Sequence, residues 1–347
     1  MRIAAVQLEP AIGDVAENLR RCRQLAGEAA AAGADWIVLP EFFTTGMGFV
    51  DAIADAALPP DGAATQLLRE LATRHRAVVG GSFICRDEDG HNRNAWFLVA
   101  PDGRVLGRHD KDIPTMWENC FYVGGSDDGV IDADGLPVGA AVCWEFMRTQ
   151  TARRLRGRVE LLVGGSAWWS IPAWPPAGVT TRMEAANART AASIVPAMAR
   201  AVGVPVAHAA HCGPVRCGMP LMPGAVYGGH YQGGTCVVDA HGAVLAWRGP
   251  HEGPGVVAAD VEPGRVDPTL EADGGFWLHR RGVMSAAVWA YQNVHGRIWY
   301  RRNAHGRPAE WRSLDELVRP GAGAPAPART AQRTSPADSR SVGSARR

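Results

Sequence analysis

The sequence predicts an α/β domain, on three observations. Apolar runs of strand length alternate with segments whose apolar positions recur at helical spacing. The order helix, short polar break, apolar strand occurs twice, as "AAGADWIVLPEFF" and "RLRGRVELLVGGSAWW". The pattern closes near Glu262 with further strands joined by turn residues. We read these as two βα-rich halves of one domain, not as a sequence repeat.

The first strand is "RIAAVQL", followed by a loop through Pro10 and Gly13 and an Ala-rich helix from Val15 to Ala32 that Gly33 stops. "DWIVLPEFF" is a short apolar strand, and a second helix spans Ala63 to His75. Strands "AVVGGSFI", "NAWFLVA" and "RVLGRH" are separated by the turns "DEDGHN" and "PDGR". The strand "PVGAAV", a helix from Thr149 to Arg156 and the strand "ELLVGGSAWW" come next. A long helix from Thr181 to Val202 carries Pro196, where a bend is expected. "VPVAHAA", "TCVVD", "AVLAW" and "GVVAADV" finish the domain, with "DAHG" supplying a hairpin turn. We therefore expect one domain over 1–262, a partly helical extension over 263–318 with Trp277 to Val294 its helix, and that extension as a possible oligomer contact. A disordered Pro/Ala/Ser/Arg tail is expected over 319–347.

Bulk properties exclude several classes. The 347 residues suffice for a substantial core, and the formal charge of +1 with 46% hydrophobic residues gives no basic excess for nucleic acid. No apolar run reaches membrane-spanning length, and Glu9 and Pro10 interrupt the N-terminus before a signal-peptide core forms. A cytoplasmic protein with no membrane partner is expected. Seven cysteines in a long chain without that leader suit reduced thiols, most of them small core residues.

Three polar groups sit where strands would otherwise stay apolar. Glu41 ends "WIVLPE", Lys111 follows "RVLGRHD", and Cys143 ends "GAAVC". A carboxylate that takes a thiol proton, a thiolate that attacks an electrophilic carbon and an ammonium that stabilises developing negative charge form a coherent set. Singly, each is better read as a cap, a solvated cation or a core thiol.

Their surroundings decide between these readings. "AAVQLEPAIGDVAENLRRCRQLAGEAAAAGADWIVLPEFFTTGM", "GRVLGRHDKDIPTMWENCFYVGG" and "PVGAAVCWEFM" resemble, in this order, three blocks of the nitrilase superfamily of carbon–nitrogen hydrolases. "ARAVGVPVAHAAHCG" and "GGTCVVDAHGAVLA" resemble its closing strands. The resemblance implies an αββα subunit, paired through helices into a four-layer αββα–αββα homodimer or a larger even assembly. It implies a cysteine-dependent hydrolase that cleaves a non-peptide C–N bond of a small molecule, an amide or N-carbamoyl group, through a thioester. Glu41 falls in the place of the general base, Lys111 of the catalytic lysine, Glu118 of the second glutamate and Cys143 of the nucleophile. The backbone N–H of Trp144, with Lys111, would hold the oxyanion, and no metal or cofactor is implied.

The branch is less defined. Where amidases tend to carry Pro-Glu after the nucleophile, this chain has Thr149 and Gln150, and the spacing of "KDIPTMWE" is closer to nitrilases. A nitrilase is therefore the alternative, and a non-catalytic metabolite- or partner-binding member the second. Trp117, Trp144, Glu145, Trp168 and Trp169 are candidate substrate contacts; the indoles serve equally well as core or dimer packing. Arg148 is a candidate for a substrate carboxylate or simply part of a basic helix face. His208, His211, Cys212 and Cys217 have zinc-type donors, but histidines three apart on a strand face opposite ways, so no metal site is expected.

Overall fold

The computed structural model describes residues 1–220, 222, 224–272, 274–279, 283–307 and 312–319, the side chains of 283–288 excepted. Beyond Arg319 the expected tail lies outside the described residues.

Strand β1 (Arg2–Leu8) is the centre of the architecture. It pairs in parallel with β2 (Trp36–Val38) and with β9 (Val206–His211), and antiparallel with β14 (Gly255–Asp260). On one side the sheet continues through β3 (Val78–Arg86), β4 (Asn92–Val99) and β5 (Val105–Asp110). On the other it continues through β8 (Leu161–Ser166), β7 (Leu136–Val142) and β6 (Val130–Ala133). Each half thus has three parallel strands finished by antiparallel ones, the two βα-rich halves anticipated from the sequence. They form one large, nearly closed sheet with helices around it.

Every β1 side chain from Ile3 to Leu8 is buried, because both faces of the strand are covered. Ile3 and Ala5 join Trp96 and Leu98 of one half and Val138, Ala140 and Val142 of the other in an inner core. Ala4, Val6 and Leu8 face outward onto α1 (Val15–Ala31) and α3 (Ala63–His75). Asp14 caps α1 by accepting the Glu17 N–H at 3.0 Å. On the far face lie α4 (Thr149–Leu155) and α5 (Ala177–Val202). Helix, sheet, sheet, helix is the expected layering.

Several boundaries differ from the sequence reading. Helix α5 begins at Ala177, four residues before the expected Thr181, and runs through Pro196. A short helix α2 (Asp51–Asp55) and a hairpin of β10 (Pro214–Gly218) with β11 (Val226–His230) were not anticipated. The "DAHG" hairpin joins β12 (Thr235–Val238) to β13 (Val244–Arg248), with Asp239 accepting from His241 and Ala243 N–H groups. The C-terminal helix α6 is Val283–Asn303, shifted from the expected Trp277–Val294, and α7 (Leu314–Val318) follows. Trp277 is not helical: it forms a β-bridge with Arg148.

Candidate active site

Glu41, Lys111 and Cys143 lie just past the ends of β2, β5 and β7, and the sheet brings those ends together. Past β2, Leu39 N–H donates to Gly80 O at 2.7 Å, and the chain turns at Phe42, φ 51°. Glycine is required opposite: a Cβ on Gly165 would lie 2.8 Å from Glu41 N. Lys111 is fixed by backbone bonds to Asn94 O (3.0 Å) and from Gly125 N (2.9 Å). A side chain on Gly124 would strike Asp112 O at 1.9 Å, so "VGG" is a packing demand of the lysine loop. Cys143 has φ 55°, a left-handed conformation that costs a non-glycine residue on the order of 1–3 kcal/mol. The strained turn lifts the thiol out of the line of the strand that "GAAV" ends.

The side chains converge. Lys111 Nζ donates to Glu41 Oε1 at 3.0 Å and to Glu118 Oε2 at 2.6 Å. Glu118 stands on a one-turn 3-10 helix, Met116–Cys120, and also accepts from Thr115 N–H (3.1 Å) and the Tyr122 hydroxyl. Glu41 accepts from Asn94 Nδ2 and Ala167 N–H, both at 2.8 Å. Donor atoms of Glu41, Glu118 and Cys143 lie within 4.8 Å of one another. That trio has metal-type donors, but the Lys111 ammonium is already hydrogen-bonded to both carboxylates. All four groups are buried, Cys143 at 2% exposure and the others at 0%.

Burial raises the Glu41 carboxyl to about 7, with Lys111 opposing and Glu118 adding to the rise. Burial alone would lower Lys111, but Glu118 and Glu41 hold it well above its ordinary value. Burial and then Glu41 raise the Cys143 thiol far above its usual range, Lys111 opposing. With one ammonium against two carboxylates, a free thiolate would add uncompensated charge. The thiol form is therefore favoured over the thiolate, with the Glu41 carboxylate beside it.

The other expected contacts are placed variously. Trp144 (7% exposed) and Trp168 (6%) lie beside the nucleophile turn with ring centroids 6.1 Å apart. Trp117 and Trp169 pack on each other at 4.4 Å on the side of the Glu118 turn. Glu145, a candidate substrate contact, has its carboxylate taken up by protein donors. Its carboxylate, fully buried, accepts from Val142 N–H (2.7 Å), His109 Nε2 (2.8 Å) and Arg154 Nη2 (3.1 Å), because the turn points it back beneath the strand. Arg148 likewise pairs with Asp112 and, at 3.4 Å, with Glu145.

His211 donates from Nε2 to Glu41 O at 2.6 Å, and His208 lies edge-on to Phe146 with Nδ1 3.3 Å from Gly234 O. Burial pushes both imidazoles down to about 4, so they are neutral. Tyr122 and Asn94 were missed from the sequence. The signal for Asn94 was an amide inside the apolar run "NAWFLVA"; for Tyr122, a hydroxyl one helical turn after Glu118.

A model of the carbon–nitrogen hydrolase family matches residues 2–270, more than half of the chain. The chain belongs to the carbon–nitrogen hydrolase family. A Pseudomonas protegens hydrolase is 31% identical over 158 residues, covering 45% of this chain and 55% of its own. The 2-oxoglutaramate amidase of Bacillus subtilis is 26% identical over 176 residues, covering 49% of this chain and 66% of its own. The chain therefore spans less than two thirds of either relative. The crystal structure of an amidase from Nesterenkonia sp. AN1 has the same fold. Its TM-score is 0.60 at 22% identity, over 76% of this chain and 93% of that one.

Proposed function

We propose that this carbon–nitrogen hydrolase cleaves an amide or N-carbamoyl group of a small molecule through a thioester on Cys143. The observation that carries the reading is a buried thiol on a strained turn beside a carboxylate of raised pKa, with one ammonium between two carboxylates. Glu41 takes the Cys143 proton as sulfur attacks the carbonyl carbon. Lys111 and the Trp144 N–H hold the oxyanion. The adduct collapses as Glu41 returns the proton to the departing nitrogen, leaving a thioester and ammonia or amine. Water, deprotonated by Glu41, then releases the acid and restores the thiol.

An amide fits better than a nitrile in one respect. Glu118 Oε1 is buried without a protein partner, an expensive state for a carboxylate oxygen. An amide N–H can supply the missing donor and a nitrile nitrogen cannot. The nitrilase alternative retains the support of the "KDIPTMWE" spacing. A binding-only member has no use for a strained cysteine paired with a base.

Ammonia release from primary amides, N-carbamoyl compounds and nitriles, with Cys143→Ala as control, tests the assignment. Release from the first two classes, absent in the control, is expected. Release from nitriles alone moves the enzyme to the alternative, and silence with every class, or activity in the control, overturns both.

We further propose a cytoplasmic homo-oligomer. All seven cysteines are free and buried, and among the described residues no helix is long and apolar enough to cross a membrane. Tyr291, Val294 and Ile298 leave an apolar stripe exposed on α6. Val294→Glu with Ile298→Glu should shift the sedimentation profile toward monomer; an unchanged profile refutes that contact.

A further inference from the structure

We propose that residues 275–279 and α6 form the acyl-side wall of the active site, with Trp277 and Trp289 limiting acyl size and neutral, apolar acyl amides as the substrate class. The proposal rests on the amide-hydrolase reading and deepens it. The family match ends at residue 270, so this wall comes from chain beyond that match.

The wall is anchored on both catalytic loops. At the nucleophile turn, Leu278 N–H donates to Met147 O at 2.8 Å, Thr149 N–H to Phe276 O at 3.2 Å and Thr149 Oγ1 to Gly275 O at 2.6 Å. At the Lys111–Glu118 loop, Trp289 Nε1 donates to Pro114 O at 3.3 Å. Gly296 sits so close that a Cβ would lie 2.3 Å from the Asn119 Cβ, and Trp299 packs edge-on to Phe121 at 5.5 Å. The nucleophile turn is thus tied to residues 275–278 and the Lys111–Glu118 loop to α6.

Between those anchors lies an aromatic layer over the residue next to the nucleophile. The Trp144 ring meets Trp277 at 5.5 Å, Trp289 at 6.0 Å and Trp168 at 6.1 Å, and Phe276 packs on Trp277 at 4.6 Å. No member of this layer is charged. Arg148, joined to Trp277 by an isolated backbone bridge, pairs through Nη2 with Asp112 and Glu145, while its Nε and Nη1 are buried without a protein partner. No ring of this layer could give a substrate carboxylate a counter-ion in exchange for its lost water, whereas an alkyl chain would gain contact.

Hydrolysis of acetamide, pentanamide, octanamide and glutaramate tests this, glutaramate being pentanamide with its terminal methyl replaced by carboxylate. We expect kcat/KM for pentanamide to exceed that for glutaramate at least about tenfold. Trp289→Ala should raise the octanamide-to-acetamide ratio by a similar factor, one methylene in an apolar pocket being worth about tenfold or more. Trp289→Phe should shift it in the same direction by less, and carries the test if the alanine variant fails to fold. Glutaramate equal to or better than pentanamide, or a ratio unchanged in the variants, overturns the wall.

Should no amide be hydrolysed, the amide reading has failed and the wall is read separately. Cys143 sulfur displaces iodide from 2-iodoacetamide or 2-iodooctanamide, forming a C–S bond as iodide leaves and the thiol gives up its proton. Trp289→Ala must then raise the octanamide-to-acetamide alkylation ratio, and an unchanged ratio overturns the wall.

Discussion

Two buried charge clusters lie on either side of the nucleophile turn, and they are built to opposite ends. In the first, Lys111 faces Glu41 and Glu118, one cation against two carboxylates, with the Cys143 proton shared into the set. In the second, His109, Arg148 and Arg154 face Asp112, Asp127 and Glu145, three cations against three carboxylates. Burial acts on both. In the first it leaves Glu41 half-committed to its proton; in the second, His109, Arg154 and Arg148 hold Glu145 well below the carboxylate range. A buried cluster with one charge too many is positioned to move a proton, and a balanced one to hold a shape. Glu145 joins the two, because its carboxylate grips the Val142 N–H one residue before Cys143.

Substitutions should separate these roles. Cys143→Ala should abolish turnover in a steady-state ammonia assay while the folded signal by circular dichroism persists. Glu41→Gln should lower kcat by about 10²–10⁴-fold, the usual share of a general base, with little change in the urea midpoint. Glu145→Gln should do the reverse in emphasis. It leaves three buried cations against two carboxylates and should cost about 3–5 kcal/mol in urea unfolding. Equal effects of both substitutions on stability would erase the contrast. Tyr122→Phe removes the hydroxyl donated to Glu118 and should cost about 1.5–3 kcal/mol of transition-state or folding free energy.

The pH profiles should diverge as well. His109 titrates at about 9 in the fold, because Glu145 and Asp127 outweigh its burial, against about 6.5 when unfolded. Its folded value is raised, so its stabilisation is complete below about 6.5 and is lost as pH rises toward 9. Glu41 must be ionised to accept the thiol proton, so kcat/KM should rise through about pH 7. Stability and activity therefore run in opposite directions between pH 7 and 9. His109→Gln should flatten the stability slope and leave the activity limb near 7.

Glu41, Lys111 and Cys143 stood out as polar groups at or just past strand ends, which a sheet gathers, but their roles, and Glu118 altogether, came from the family resemblance and not from the pattern. The partners of Glu145 were not legible, because adjacency to the nucleophile in sequence says nothing of direction on a 3-10 turn. Its partner His109 is the one imidazole of β5, and nothing in the local pattern shows that it turns to Glu145 and Asp127 while Lys111, just past the strand's end, turns to Glu41 and Glu118. The β10–β11 hairpin was hidden by "PGAVYGGHYQGG", whose glycines carry no side-chain alternation. Trp277 looked helical beside other apolar residues, yet it pairs with Arg148 through its backbone, which no periodicity in the local sequence records.

The central claim is a covalent thioester on Cys143, and hydroxylamine partitioning tests it most directly. Pentanamide and N-methylpentanamide share an acyl group and differ only in the departing amine. If both pass through the same thioester, hydroxylamine and water divide it identically, and the ratio of hydroxamate to acid is the same for the two substrates. A ratio that depends on the leaving amine, or acid formed with no hydroxamate at all, would contradict the account.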